Sequence, residues 1–238
     1  MYLILSVVVL SWAAGLAMWL GALLGRYENI ASSWLEQEFR HSVMALGAGA
    51  LLSAVALVLV PDGLEHLTMV PAVSSFIAGS LSFMALDILL QRIASSGSQL
   101  AAMLSDFIPE SIALGAAFAT GDSHALLLVV LIALQNFPEG FNAYRELSAN
   151  SNFAASKTLW QFFLMALLGP AAGLIGFYWL AAEPQILAGL MLYASGGILY
   201  CIFQDIAPQI KLEKHWGPPL GAILGFVIGM IGLQLLHT

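Results

Sequence analysis

The sequence is short of charge. Asp, Glu, Lys and Arg make up 9% of its 238 residues, against about a quarter in soluble domains, so it has too few charges to clothe a water-exposed surface. Basic residues are scarcer still. Seven Lys and Arg stand against fourteen Asp and Glu, which leaves no phosphate footprint and argues against a nucleic-acid partner. A single cysteine, Cys201, excludes an intramolecular disulfide and a cysteine-based zinc cluster. Neither a Walker motif nor a Gly-rich phosphate loop is present. What the chain does have is 60% hydrophobic residues and a mean hydropathy of +0.90. That composition belongs to an all-α integral membrane protein, with the lipid bilayer as its first partner.

A helix needs about 20 mostly apolar residues to cross the hydrocarbon core. Eight such runs are expected, at 2–25, 42–60, 70–91, 100–121, 124–146, 157–181, 185–206 and 218–236, so that residues 1–238 form one transmembrane domain. The first lacks a basic leader and outruns a signal-peptide core, so it is read as a span. The second is expected to stop at the breaker cluster Val60-Pro61-Asp62-Gly63. Gly121-Asp122-Ser123 is read as a tight polar turn between the fourth and fifth. All the basic residues (Arg26, Arg40, Arg92, Arg145, Lys157, Lys211 and Lys214) fall after odd-numbered spans. Positive-inside counting then puts both termini outside the cytoplasm.

Between the first two spans, Tyr27, Ile30, Trp34, Leu35 and Phe39 recur at near-helical spacing. They read as a short interfacial helix or as an ordered loop. The last span repeats Gly217, Gly221, Gly225 and Gly229 every four residues. Such a stripe lets helix backbones approach closely, within the bundle or between the protomers of a homodimer.

Five acids fall inside the expected spans: Asp87, Asp106, Glu110, Glu139 and Asp205. A charge at the bilayer centre costs a few kcal/mol, so each needs an internal partner or a water-filled path. No basic residue lies at their depth. Either the acids hydrogen-bond one another or a cation sits among them. Spacing favours the cation. Asp106 and Glu110 are four apart, as are Gln135 and Glu139, so each pair shares one helix face. In both pairs a proline precedes the second acid, in Asp106-Phe107-Ile108-Pro109-Glu110 and Gln135-Asn136-Phe137-Pro138-Glu139. Proline removes the bond to the carbonyl four residues back, at Ser105 and Leu134, and is expected to kink both helices. Asn142 and Tyr144 read as structural polar groups, whereas Asp87 and Asp205 are open between pathway and structural roles.

At these residues the chain resembles the ZIP family of divalent metal transporters. Asp106 to Ser111 and Gln135 to Gly140 are similar to the family's fourth- and fifth-span motifs. Leu59-Val60-Pro61-Asp62-Gly63-Leu64-Glu65 looks like its second-span Leu-Pro-Glu element. Gly196-Gly197-Ile198-Leu199-Tyr200 with Gln204-Asp205-Ile206-Ala207-Pro208 looks like its seventh-span stretch. The resemblance implies a ZIP-like inverted-repeat bundle in which Pro61-Asp62 and Ala207-Pro208 are symmetry mates. It also implies a metal site of Asp106, Glu110, Gln135 and Glu139, with Asn136 as an outer member. Asp62, Asp87, Gln204 and Asp205 are the candidate pathway residues. The chain departs from the family pattern in several places. Asp106 stands for the fourth-span histidine, Phe107 for an amide and Gln204 for the seventh-span histidine, and Leu168-Gly169-Pro170 lacks the sixth-span acid. A usual two-metal centre is thereby reduced to one. All five histidines (41, 66, 124, 215 and 237) fall in loops or at ends.

The expected function is a secondary transporter moving divalent cations into the cytoplasm across a plasma or inner membrane, with the metal as substrate and no resident cofactor. Zinc follows from the family. The oxygen-rich ligand set also suits manganese or iron(II), and protons are expected to compete for the carboxylates. The alternative is a transport-deficient homologue acting as a metal sensor or structural partner. An intramembrane hydrolase is disfavoured, because no His-Glu-x-x-His, Gly-x-Gly-Asp or Ser/His pair lies at membrane depth.

Overall fold

The computed structural model describes residues 2–28, 32–93, 96–148, 154–210 and 216–236, without the side chains of 96–99, 102, 205, 209 and 210. Lys211, Lys214, His215 and His237 therefore lie outside the described residues, as does the side chain of Asp205. Among the described residues the chain is helical, with no strand. We number the helices α1 Tyr2–Tyr27, α2 Ser33–His66, α3 Met69–Ile93, α4 Ser96–Thr120, α5 Ala125–Ser148, α6 Ala155–Leu180, α7 Pro184–Gln204 and α8 Gly217–Leu236. Seven of these are long and apolar enough to cross a membrane by the described residues. The remaining one, α4, carries Asp106, Pro109 and Glu110 in its middle.

The helices sort into an inner and an outer set. Over their most apolar stretches α2, α5 and α7 are 67%, 56% and 56% buried, whereas α3 and α8 are 11% and 17% buried. Helices that are apolar all round but mostly uncovered suit a lipid surround. Asp106 and Glu110 lie on α4 and Glu139 on α5 of the inner set, whereas Asp87 lies on the outer α3.

Backbones approach closely where the sequence supplies glycine. A methyl group at Gly21 of α1 would overlap the Phe137 carbonyl of α5, and one at Gly140 of α5 would overlap the Met18 carbonyl of α1. On α8, Gly217 lies against Glu38, Gly221 against Ser42, Gly225 against Leu46 and Gly229 against Ser53, all on α2. The four-residue stripe is thus an internal seam.

Three expected boundaries need correction. The helix of the second span begins before 42 and does not stop at Val60-Pro61. It starts at Ser33, capped where the Ser32 hydroxyl accepts from the Leu35 N–H, and runs to His66. A five-residue π-helical turn, Val55–Leu59, precedes Pro61 and absorbs the proline at the start of the next α-helical turn. Trp34, Leu35 and Phe39 consequently belong to the first turns of α2, not to a separate interfacial helix or a loop. The sixth span is interrupted at Leu167, because Pro170 cannot bond the Ala166 carbonyl. By contrast α4 and α5 pass through Pro109 and Pro138 without a break in the helix.

Two further π turns follow: Gly176–Leu180 closes α6, and Ile202–Ile206 precedes Ala207-Pro208 at the end of α7. The latter repeats the construction of α2, in which a π turn is followed by a residue and then a proline that opens an α-helical turn. The turn between α4 and α5 is as tight as expected. Gly121 adopts φ +73°, a left-handed conformation that disfavours a side chain, and the Asp122 N–H bonds the Ala117 carbonyl at 2.9 Å.

Candidate metal site

The i, i+4 spacing on α4 and α5 turns two polar faces toward each other inside the bundle. Gln135 Nε2 of α5 donates to Glu110 Oε2 of α4 across the interface. Glu110 and Gln135 are each 1% exposed, Asn136 is fully buried and Asp106 is 9% exposed. Asp106 Oδ1 accepts the Phe107 N–H at 2.8 Å, which turns its carboxyl back along α4. Glu110 and Gln135 thus meet across the interface, and Asp106 and Glu139 each lie one helical turn away on the same helix face.

Much of their hydrogen-bonding capacity is unused. Glu110 Oε1, Gln135 Oε1, Asn136 Oδ1 and Glu139 Oε2 are all out of solvent without a hydrogen-bond partner. Asn136 is oriented by its Nδ2, which donates to the Ala14 carbonyl at 3.0 Å and leaves the oxygen side open. Unpaired buried acceptors are expensive, so a cluster of them in a native structure calls for an explanation. On Glu110, Gln135, Asn136 and Glu139 the orphaned atoms are all oxygen acceptors, the kind of atom a cation takes as ligand.

Glu139 differs from the others in keeping partial exposure. Its side chain borders a cavity of about 60 Å³ between α5, α2 and the π turn of α7, lined also by Gly47, Asn142 and Ile206. That is room for water beside the carboxylate. Pro138 packs on Gly47, where a Cβ would come within 2.6 Å of the proline ring.

Phe107 and Gly169 fit one another. Phe107 is fully buried, and a Cβ at Gly169 would lie 2.8 Å from its ring tip; the same holds at Gly15 of α1. The phenyl ring thus fills the space in front of Gly169 and Gly15.

The other candidates lie elsewhere. Asp87 is partly exposed on α3, where it accepts from Gln91 Nε2 at 3.0 Å and from the Tyr200 hydroxyl at 3.1 Å. Gln204 is exposed on its π turn. Asn142 has the expected structural role, accepting from Arg40 at 3.0 Å and donating to Glu146 at 2.8 Å. Beside it Arg145 pairs with Glu28 and Glu36, tying together the Arg-bearing ends of α1, α2 and α5.

No family model matches the chain, and no curated protein does.

Asp62, the remaining pathway candidate, is at the opposite end of the bundle from these arginines. There His124 Nδ1 lies 3.3 Å from Asp62 Oδ1 and 3.4 Å from Asp122 Oδ1. Among the described residues these three form the only group of His, Cys, Asp and Glu whose ligand atoms all lie within 4.8 Å of one another. Asp106, Glu110 and Glu139 do not close to that distance. Sequence reading missed the outer group, because His124 and Asp122 are some sixty positions from Asp62 and meet it only through helix pairing. The one available signal was that all three sit at helix ends on the same side of the bundle.

Proposed function

We propose that the protein is a secondary transporter that carries divalent metal cations across the membrane toward the cytoplasm, and a divergent relative of the ZIP family. The observation that carries this reading is the set of buried, unpartnered oxygens on Glu110, Gln135, Asn136 and Glu139. Two facing helices supply carboxylates and amides, with no basic side chain among them. A cation entering there would exchange its hydration shell for Glu110 and Glu139 oxygens, and Gln135 and Asp106 would complete the shell. The three acids do not yet converge on one point, so loading draws α4 and α5 together and unloading releases them. That coupling of occupancy to helix position is what alternating access needs. The water-sized cavity beside Glu139 supports an exit toward the Arg-bearing end.

Further support comes from the matching π turns before Pro61 and Pro208, the counterparts of the family's symmetry-related elements. An all-oxygen site accepts Mn²⁺ and Fe²⁺ as well as Zn²⁺. The packing of Phe107 onto Gly169 favours a single metal per cycle and also motivates the second reading, a homologue that binds metal without moving it.

Influx of Zn²⁺, Mn²⁺, Fe²⁺ and Cd²⁺ into proteoliposomes separates the two. The expected result is uptake by the wild type that Glu139→Ala abolishes. Binding by folded protein without uptake of any of the four ions would overturn the transporter reading and leave the sensor.

A further inference from the structure

We propose that Asp62, Asp122 and His124 form a second cation site, for a first-row divalent transition metal, at the end of the bundle opposite the arginines. The proposal goes beyond the transport reading and does not rest on it.

The geometry is that of a partly assembled shell. Zinc bonds to imidazole nitrogen and carboxylate oxygen are about 2.0–2.2 Å long. Neighbouring donors of a tetrahedral shell are then about 3.3–3.5 Å apart. The two separations from His124 Nδ1, 3.3 Å to Asp62 and 3.4 Å to Asp122, match that edge length. They are also poor hydrogen bonds. Although two carboxylate oxygens flank it, Nδ1 is out of solvent with no correctly directed partner, and so is Asp62 Oδ2. A ring nitrogen flanked by two carboxylate oxygens, with no well-formed hydrogen bond to either, leaves a donor available to an ion between them.

The scaffold holds the three donors in place. Gly121 supplies the left-handed residue that closes the turn, and the His124 N–H bonds Asp122 Oδ1 at 2.8 Å, which fixes both residues on one short loop. Asp62 is brought to them by the helical extension through Pro61. The side chains of Asp62, Asp122 and His124 are 16%, 29% and 20% exposed, so water can complete the coordination and an ion can enter. One imidazole with two carboxylates is a borderline donor set that prefers Zn²⁺ to Mn²⁺ or Mg²⁺. The imidazole should make that preference stronger than at the all-oxygen group in the interior.

The test uses the full chain carrying Glu139→Ala, which removes the interior contribution, titrated calorimetrically with Zn²⁺ and with Mn²⁺. One zinc is expected to remain bound, more tightly than manganese. Adding His124→Ala or Asp62→Asn should each weaken it about tenfold or more. Because the three residues lie at the periphery, both variants are expected to fold; Asp62→Asn, which keeps the shape of the side chain, carries the test if His124→Ala does not. Zinc affinity unchanged by both substitutions would overturn the proposal and leave an ordinary His–Asp ion pair. Loss of influx in Glu139→Ala is read separately, so either conclusion can fail without the other.

Discussion

Glu139 concentrates the conflict between stability and function at the scale of single residues. Its Oε2 is buried without a partner, one helical turn from Gln135 on the face of α5 that meets Glu110. In a protein without metal such a group destabilises, and neutral isosteres of uncompensated buried charges are often stabilising. Glu139→Gln is therefore expected to raise the metal-free melting temperature. A gain of about 1 kcal/mol would appear as about 2–4 °C at this chain length. In a His124→Ala background, which removes the contribution of the outer group, the same substitution should remove the stabilisation that metal confers. For wild type, an ion at 100 times its Kd adds about 2.7 kcal/mol. Thermal unfolding in detergent with and without Mn²⁺ checks both halves. A variant less stable without metal, yet still stabilised by it, would show that Glu139 packs and does not ligate.

Phe107 and Gly169 make a second argument at this scale, because each occupies space the other leaves. Phe107→Ala should cost about 3 kcal/mol or more for the cavity left in the core. Gly169→Ala should also destabilise, because its Cβ would lie 2.8 Å from both the Phe107 ring tip and the Ser11 carbonyl. Together they should cost less than the sum, since removing the ring relieves one of the two clashes. A double-mutant cycle on melting temperature measures the coupling, and strict additivity would mean that the two positions do not share that space.

Whole helices are where the sequence was most readable and where it misled. Among the described residues each of the eight apolar runs falls on a helix, most with ends within two or three residues of those expected, because burial in lipid demands length and apolarity that leave a plain trace. The neighbouring pairs on α4 and α5 were readable for a related reason. Acids four apart must share a face, and Gln135 does meet Glu110. Pro61 misled, since a proline beside Asp and Gly reads as a stop. The π turn that lets α2 continue has no distinct composition, and Val55–Leu59 is apolar like its surroundings. The outer His124 group was hidden because sequence spacing carries no information about which helix ends meet. The stripe on α8 was readable as close packing, but its partner, α2, was not. There a bulky side chain should be disruptive. Gly225→Leu places Cβ into the Leu46 carbonyl, which cannot withdraw without breaking α2. Folded yield should fall severely, whereas Gly189→Ala, whose Cβ would meet only the Ser75 hydroxyl at 3.6 Å, should behave as wild type. Equal yields for the two would remove the α2–α8 seam from the account of how the bundle holds together.

At the scale of the whole molecule, the arrangement in the membrane follows from how the two ends differ. One end joins α1, α2 and α5 through Arg145 and Arg40, and the other joins α2 to α5 through Asp62 and His124. Basic residues favour the cytoplasmic side, so the His124 end should face outward. Whether α4 crosses the membrane decides between eight passes and seven, and so whether the two termini share a side. It carries two carboxylates and a proline, yet its 25 residues are long enough to span, and its buried face meets α5 at the site. A crossing α4 puts Ile93 and Ser123 on opposite sides of the membrane. Single cysteines at those positions, introduced into a Cys201→Ser background, can be probed in intact cells with a membrane-impermeant maleimide. Ser123→Cys should react from outside, and Ile93→Cys only after permeabilisation. Labelling of both from outside would mean that α4 does not cross. Labelling of Ile93→Cys alone would invert the bundle, placing His124 inside and reversing the direction in which the interior acids could pass an ion.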